Sequence, residues 1–177
     1  MKPRRRAAET GPHRRPEKAI NGIPRDAPMG EGRITVLGTG QAKEGFRFLF
    51  EGPPEPCRDC EFLGACLGRL EPGRIYRVTS VKRKKLPCGL HGGEARVVEV
   101  EESCVEASLE SRLSMEGASI SYRPIGCGEV GCELRALCSP LGLRAGDRCK
   151  ILSIGERLNC PIGLELRLAS LLRQPSS

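Results

Sequence analysis

The sequence predicts a mainly β fold made of two tandem, duplicated β units that are small, barrel-like and related by a pseudo-two-fold axis. Eight of the ten cysteines form an array that occurs twice in the sequence, and segments of alternating apolar residues accompany both copies. The 22 glycines and 14 prolines among 177 residues mark many turns, and tryptophan is absent. Because such small units bury little apolar surface, each is predicted to need a four-cysteine metal site for stability.

The cysteine array consists of two sets with nearly the same spacing. The first set reads C-x2-C-x5-C-x21-C and the second C-x4-C-x5-C-x21-C, so three positions recur 72 residues apart. Three thiolates from a compact segment and one from a distant segment suit a zinc ion or an iron-sulfur cluster. The predicted metal ligands are Cys57, Cys60, Cys66 and Cys88 in the first set, and Cys127, Cys132, Cys138 and Cys160 in the second.

Residues 1–32 are predicted to form a disordered basic tail. The first 28 residues contain five prolines and no periodic apolar pattern. The tail is interpreted as an electrostatic arm for an acidic partner such as RNA, or as an ordinary solvated segment. A third interpretation places the start of translation at Met29.

The protein is expected to be cytoplasmic, without a membrane segment. The basic residues near the N-terminus are not followed by an apolar export signal, and no apolar run approaches the ~20 residues needed to span a bilayer. Ten cysteines in that compartment favour reduced thiols and metal. Disulfides remain the alternative, because intracellular proteins of hyperthermophiles can contain many.

Two units are predicted, at residues 33–104 and 105–177. In the first, Glu44-Gly45 precedes the alternating strand FRFLF, and in the second Glu116-Gly117 precedes SISY at the same 72-residue offset. The cysteine segments CEFLGAC and CELRALC then predict one or two helical turns. Each unit is therefore expected to begin with two strands followed by a cysteine hairpin with a helical turn.

The second part of each unit also repeats. Leu70–Val78 matches Leu143–Ile151 as a turn followed by a strand, and the last cysteine of each set is expected in a Gly/Pro-rich loop. The segments ARVVEV and LELRLASL are predicted to be the final strands. Two small barrels and one intertwined barrel both fit this pattern, because they differ only in which strands pair across the repeat boundary.

The spacing favours iron-sulfur clusters of the [4Fe-4S] type, with two zinc ions as the alternative. Structural zinc sites often combine two close cysteine pairs, whereas each set here has three close cysteines and one remote one. The leading hypothesis is electron transfer or redox sensing with a redox partner protein. The competing hypothesis is a zinc-stapled binding module for RNA, the ribosome or a protein partner.

Three further residues could bear on the sites. His91 lies three residues after Cys88 and is interpreted as an outer partner of the site, a solvated loop residue or a replacement for that ligand. Cys149 stands where the first unit has Tyr76, which predicts a small buried residue. Cys104 is interpreted as a structural or incidental thiol, with a redox pair of these two cysteines as the alternative.

A basic run precedes Cys88 and is a candidate contact for RNA or an acidic redox partner. It consists of Lys82, Arg83, Lys84 and Lys85. The alternative is a solvated hairpin that offsets the negative charge of a thiolate site. Residues 1–32 carry eight basic and four acidic side chains, so +3 of the net charge of +7 remains elsewhere. Two thiolate sites with a charge of about −2 each would cancel that excess.

No catalytic constellation stands out in the sequence, and an enzyme is not expected. The only histidines are His13, in the tail, and His91, so the predicted units hold no histidine pair for acid-base chemistry.

Several motifs in order resemble an uncharacterised archaeal protein family that has two cysteine clusters. The resemblance covers Ile34 to Leu168 and implies that both cysteine sets are iron-sulfur redox centres, as has been suggested for the family. It implies no activity and no catalytic residues. The motifs are RITVLGTGQAKEGFRFLFEG, PEPCRDCEFLGAC, LEPGRIYRV, PCGLHGG with RVVEVEE, EGASISYRPIGC, LRAGDRCKI and NCPIG.

Overall fold

The computed structural model describes residues 32–174 and contains eight strands and two short helices. The tail predicted at residues 1–32 therefore lies, except for its last residue, outside the described residues. Among residues 32–174, no helix is long and apolar enough to cross a membrane. The strands are β1 Arg33–Gly38, β2 Arg47–Phe50, β3 Arg74–Cys88, β4 Gly93–Glu102, β5 Val105–Glu110, β6 Ser119–Ser121, β7 Arg148–Asn159 and β8 Glu165–Arg173; the helices are α1 Leu63–Leu67 and α2 Arg135–Cys138.

The strands form two antiparallel sheets of four, which confirms the mainly β prediction. The first sheet has the order β1-β4-β3-β2 and the second the order β5-β8-β7-β6. In the described region, each strand forms a ladder only with strands of its own half of the chain. The structure therefore contains two separate sheets and not one intertwined barrel. Each sheet is also open. Its edge strands are β1 and β2 in the first half and β5 and β6 in the second, and a closed barrel would pair the two edge strands with each other.

The two halves repeat the same local hydrogen bonds. Gly45 N–H donates to Val78 O at 2.8 Å, and Gly117 N–H donates to Ile151 O at 2.8 Å. Both glycines have positive φ, +82° and +78°, which glycine adopts without the steric cost of a side chain. The repeated Glu-Gly pair thus makes the turn that leads into β2 in one half and β6 in the other.

Two separate apolar clusters form the core, one on each sheet. In the first, Tyr76 is fully buried, its ring lies 5.9 Å from that of Phe48, and its hydroxyl accepts a hydrogen bond from Glu71 N–H at 2.8 Å. In the second, Cys149 is fully buried, which confirms its predicted role as a small core residue. Burial, with a smaller effect of Asp147, raises the pKa of Cys149 to about 12.

Charged side chains join the two halves. Arg74 binds Asp147 at 2.5 Å and also donates to the carbonyl of Gly142 at 3.1 Å. Arg173, at the end of β8, binds Glu71 at 2.8 Å and forms a two-pronged contact with Glu102. Ion pairs between elements far apart in the chain therefore connect the two halves.

The short helices place the middle of each cysteine segment over an edge strand. Helix α1 packs against β1, and α2 packs against β5. The helices carry Cys66 and Cys138, so the third cysteine of each set lies beside the first strand of its sheet. The predicted helical turns in CEFLGAC and CELRALC are thus present and connect each cysteine set to its sheet.

Candidate metal centres

The first four cysteines come from three neighbouring elements. Cys57 ends a 3-10 turn at Glu55–Cys57, Cys60 follows it, and Cys66 lies in α1. Cys88 is the last residue of β3, so the prediction that it lies in a loop is wrong. A 15-residue strand therefore carries the remote cysteine back to the others.

Successive turns hold the close cysteines of this set in a compact segment. Cys60 N–H donates to Cys57 O at 3.2 Å, Leu63 N–H donates to Cys60 O at 3.0 Å, and Cys66 N–H donates to Phe62 O at 2.8 Å. Because each turn reverses the chain, residues separated by three to nine positions stay near one another.

All four cysteines of the first set line one cavity of about 40 Å³. Its walls are otherwise mostly apolar, and Leu63, Leu67 and Leu86 come from the helix and from the end of β3. Burial raises the pKa of the Cys57 thiol, and the nearby Cys88 and Cys60 raise it further. The pKa of Cys66 is raised by burial and by the same neighbours. Several thiolates in this cavity would repel one another unless a cation compensated them.

His91 lies at the same cavity, as its position after Cys88 suggested. A Cβ atom added at Gly38 would lie 3.1 Å from His91 Nδ1, so the imidazole lies against β1 where glycine leaves room. The structure thus places His91 beside the cysteines, and its role as an outer partner or a ligand stays a prediction.

The second set is less completely gathered. Cys127, Cys132 and Cys138 line one cavity of about 280 Å³, but Cys160 is not among its lining residues. Cys160 directly follows β7 and begins the turn closed by Gly163 N–H, which donates to its carbonyl at 3.0 Å. The structure therefore brings together three of the four predicted residues in this half.

Two hydrogen bonds reach sulfur atoms of the second set. Ser108 Oγ donates to Cys138 Sγ at 3.2 Å, and Glu129 N–H donates to Cys127 Sγ at 3.4 Å. Arg135 lines the same cavity and donates to the carbonyl of Glu129 at 3.4 Å. Sequence reasoning missed Ser108, although the 72-residue offset aligns it with Val36, which lines the first cavity.

Within residues 32–174, no three His, Cys, Asp or Glu side chains are arranged so that they could hold one metal ion as they stand. The cysteines share cavities, but their sulfur atoms do not converge on a point. Metal binding at either set is therefore a prediction carried by residue type, proximity and spacing.

The basic run on β3 is partly neutralised by the neighbouring strand. Lys82 binds Glu99 at 2.7 Å, and Lys85 binds Glu94 at 2.6 Å. The hydrogen bonds from Lys82 and Ser80 hold the pKa of Glu99 below its ordinary value. Arg83 and Lys84 are exposed. Half of the predicted RNA contact is thus engaged in pairs with β4.

Comparison with known proteins bears directly on the predicted family resemblance. The model of an uncharacterised protein family, UPF0179, matches residues 33–171. The chain belongs to UPF0179. The family match covers all eight array cysteines and both sheets except the last two residues of β8, and it confirms the predicted resemblance to an uncharacterised family.

Curated UPF0179 proteins of several archaea are similar over most of their length. The UPF0179 protein of Methanothermobacter thermautotrophicus is 43% identical over 137 residues, which cover 76% of this chain and 92% of that protein. The UPF0179 proteins of Methanocaldococcus jannaschii and Pyrococcus abyssi are 36% and 38% identical, and the alignments cover 91% and 97% of those proteins and 77% and 80% of this chain. No solved structure matches the chain.

Proposed function

We propose that this UPF0179 protein binds metal through two sets of four cysteines, as [4Fe-4S] clusters that serve electron transfer or redox sensing in the cytoplasm. The observation that carries the proposal is the first cavity. Cys57 and Cys88 are 31 residues apart in the chain, yet both line it together with Cys60 and Cys66. Four thiols from different parts of the chain thus surround one small cavity. Their grouping has no evident structural role, whereas it suits a set of metal ligands.

The residues of the first cavity fit a metal cluster in their chemistry. The cavity offers four soft sulfur donors, and the pKa values of Cys57 and Cys66 are raised by burial and by the neighbouring thiols. A cationic cluster core would stabilise the thiolates that burial disfavours. When bound, an iron-sulfur cluster supplies reversible one-electron storage.

The protein's own residues would position and shield such a cluster. The turns around Cys57 and Cys60 fix two donors, α1 provides Cys66, and β3 brings Cys88. The apolar lining would limit the access of water to the first centre, which slows side reactions of a reduced cluster.

We also infer that the two halves arose by duplication, which extends the proposal to the second set. The support is the identical strand order, together with register shifts just after Val78 in β3 and just after Ile151 in β7. In this interpretation Cys160 corresponds to Cys88 and completes the second set when metal binds.

Zinc is the second candidate, and one observation favours it. A cavity of about 40 Å³ holds only a few water molecules, so a single ion fits it with less rearrangement than a four-iron cluster. In that case the protein would act as a zinc-stapled binding module, with the exposed Arg83 and Lys84 on its surface.

Anaerobic purification followed by iron, acid-labile sulfide and zinc analysis tests the proposal. We expect about eight iron and eight sulfide per chain, a broad visible absorbance, and an EPR signal after reduction with dithionite. About two zinc ions without sulfide would establish the second candidate instead. A chain with neither metal would refute both.

A further inference from the structure

We propose that the second half of the protein binds a small amphiphilic anion, an apolar molecule that carries one carboxylate or phosphate group. The site is a cavity of about 620 Å³ between the edge strands β5 and β6. Cavities of roughly 300–1,000 Å³ are usual for small-molecule sites, and such sites occur in the mouths of β-barrels. The proposal goes beyond the metal function and does not depend on it.

The cavity lies where the open sheet of the second half does not close. Leu109 at the end of β5 lines one side, and Ile120 of β6 lines the other. Further apolar walls come from the segments next to these strands and from the turn before β8; they include Leu113, Ile125 and Leu164. The two edge strands of the sheet therefore border the same space.

Apolar side chains at the base and at the rim of the cavity suit an apolar ligand. Leu109 is 4% exposed and belongs to the second core, whereas Leu113 and Leu164 are 46% and 40% exposed. The apolar lining thus extends from the core to the surface. A ligand tail in this space would remove the exposed leucines from water, which is favourable.

Smaller side chains in the second half account for the space. At the 72-residue offset, Phe46 and Phe48 of the first half correspond to Ala118 and Ile120. The two phenyl rings lie 6.4 Å apart and pack against the first core. Two aromatic rings are thus replaced by smaller aliphatic side chains, which fill less of the interior.

The cross-strand pair at this place differs in the same way. Phe48 lies opposite Tyr76, and their rings are 5.9 Å apart, whereas Ile120 lies opposite Cys149. The two halves have the same strand order. The apolar part of the ligand would therefore occupy space in the second half that aromatic side chains take up in the first.

One positive charge at the rim favours an anion. Arg112 binds Glu110 at 2.5 Å, so this pair is neutral overall. Arg123 also lines the cavity, is exposed, and takes part in none of the ion pairs formed by residues 32–174. The corresponding residue of the first half is Glu51, so this positive charge belongs to the second half alone. A guanidinium group offers paired donors to a carboxylate or a phosphate.

The depth of the cavity favours a dissolved molecule over a membrane surface as the source of this chemistry. Leu109 lies at its base and is almost fully buried. A flat surface would contact the exposed Leu113 and Leu164 but would not reach this residue. A free amphiphile can place its tail at Leu109 and its acid group at Arg123.

Calorimetric titration of the full chain with sodium octanoate and with 1-octanol tests the proposal. The two probes have the same chain length, and only octanoate carries a charge. We expect one octanoate site per chain, with an affinity roughly five-fold higher than that of octanol at low salt. The difference should shrink as salt is added, because Arg123 is exposed.

Substitution of the rim arginine tests the charge. Arg123→Gln should remove the preference for octanoate and leave the affinity for octanol unchanged, and Arg123→Lys should retain part of the preference. Arg83→Gln is the matched control, because it makes the same change of charge at an exposed position of the first half. It should alter neither affinity.

Substitution of the walls tests the position of the tail. Ile120→Phe introduces the residue of the first half and should abolish the binding of both probes. Leu113→Gln changes an exposed wall residue without altering the core and should weaken both. It decides the test where Ile120→Phe lowers the thermal midpoint.

The outcomes separate this proposal from the metal function. Absence of octanoate binding to the folded wild type, or equal losses in Arg123→Gln and Arg83→Gln, would overturn it. Sedimentation with anionic phospholipid vesicles in the absence of octanoate binding would also overturn it, because the surface would then serve a membrane.

Metal content is measured in every variant, because Pro124, Ile125 and Gly126 line both this cavity and that of the second cysteine set. Equal iron, sulfide and zinc in the wild type and in Arg123→Gln would assign a loss of octanoate binding to the arginine itself. Octanoate binding by a chain that contains no metal would support the amphiphile site and overturn the proposed metal function alone.

Discussion

Arg74 and Asp147 occupy the same place in the two halves and bind each other. Each follows the glycine of the repeated turn, Gly73 in one half and Gly146 in the other. Their side chains are 4% and 12% exposed and 2.5 Å apart. Equivalent positions of the two halves thus carry opposite charges, positive at Arg74 and negative at Asp147.

Two further pairs follow the same rule. Glu71 and Arg144 each come two residues before the turn glycine of their half, and they lie 3.6 Å apart. Glu102 pairs with Tyr76 in the first sheet as Arg173 pairs with Cys149 in the second, and Arg173 binds Glu102. These two positions also have opposite charges in the two halves.

Reversing one charge of the central pair should destabilise the fold. In Asp147→Arg, two guanidinium groups would face each other where little water reaches them, and we expect a loss of about 3 kcal/mol in the free energy of unfolding. The double variant Arg74→Asp with Asp147→Arg should recover part of that loss, because an aspartate at position 74 would lie beside Glu71, which binds Arg74 at 2.8 Å in the wild type. Urea denaturation measures both, and equal losses in the single and double variants would contradict the pairing.

Stability should fall at acid pH because of the same carboxylates. Burial alone would raise the pKa of Asp147, but hydrogen bonds from Arg74 and from Arg144 N–H outweigh it and lower the pKa. The stabilisation is fully present above the ordinary carboxyl pKa of about 4 and is lost as the pH falls through the lowered value. Unfolding free energies measured across this range should decline more steeply in the wild type than in Asp147→Asn.

Cys149 should resist alkylation in the folded protein. It is fully buried, and its pKa of about 12 leaves almost no thiolate near pH 8. Cys60 is exposed and should react first in metal-free protein. Timed iodoacetamide labelling with peptide mass spectrometry compares the two, and equal rates would show that the second core opens readily.

Loss of one ligand from each set should remove metal and stability together. Cys60→Ser and Cys132→Ser are each expected to lower the bound metal by about half and to reduce the thermal midpoint, because small cores depend on such sites. Cys104→Ala is the control, since this buried cysteine lies outside both sets. Metal content and melting like those of the wild type in Cys60→Ser would refute the ligand assignment.

The repeated strands and helical turns could be predicted from sequence because local patterns determine them. The Glu-Gly pairs, the alternating residues of β2 and the Gly73 turn each depend on only a few neighbouring positions. Cys88 was placed wrongly, because Pro87 and the following glycines are typical of a loop, although β3 continues through Pro87 and ends at Cys88. Pairing with Glu94 and Gly93 of β4 keeps Pro87 and Cys88 in the strand.

Contacts between distant elements could not be predicted in the same way. Arg173 and Glu71 are 102 residues apart, and nothing in either segment indicates the other. Ser108 lies in an alternating strand and resembles an ordinary polar position until α2 packs beside it. The spacing predicted the grouping of the first four cysteines, which line one cavity, while the position of Cys160 depends on how β7 ends.

The opposite charges at equivalent positions have a consequence for how two chains could associate. Two copies of the same half would bring like charges together at all three positions, so the interface distinguishes one half from the other. It does not distinguish one chain from another, and two chains that exchanged halves would form the same ion pairs. In the single chain, the two halves are joined between β4 and β5 by a link of only two residues, the buried Ser103 and Cys104.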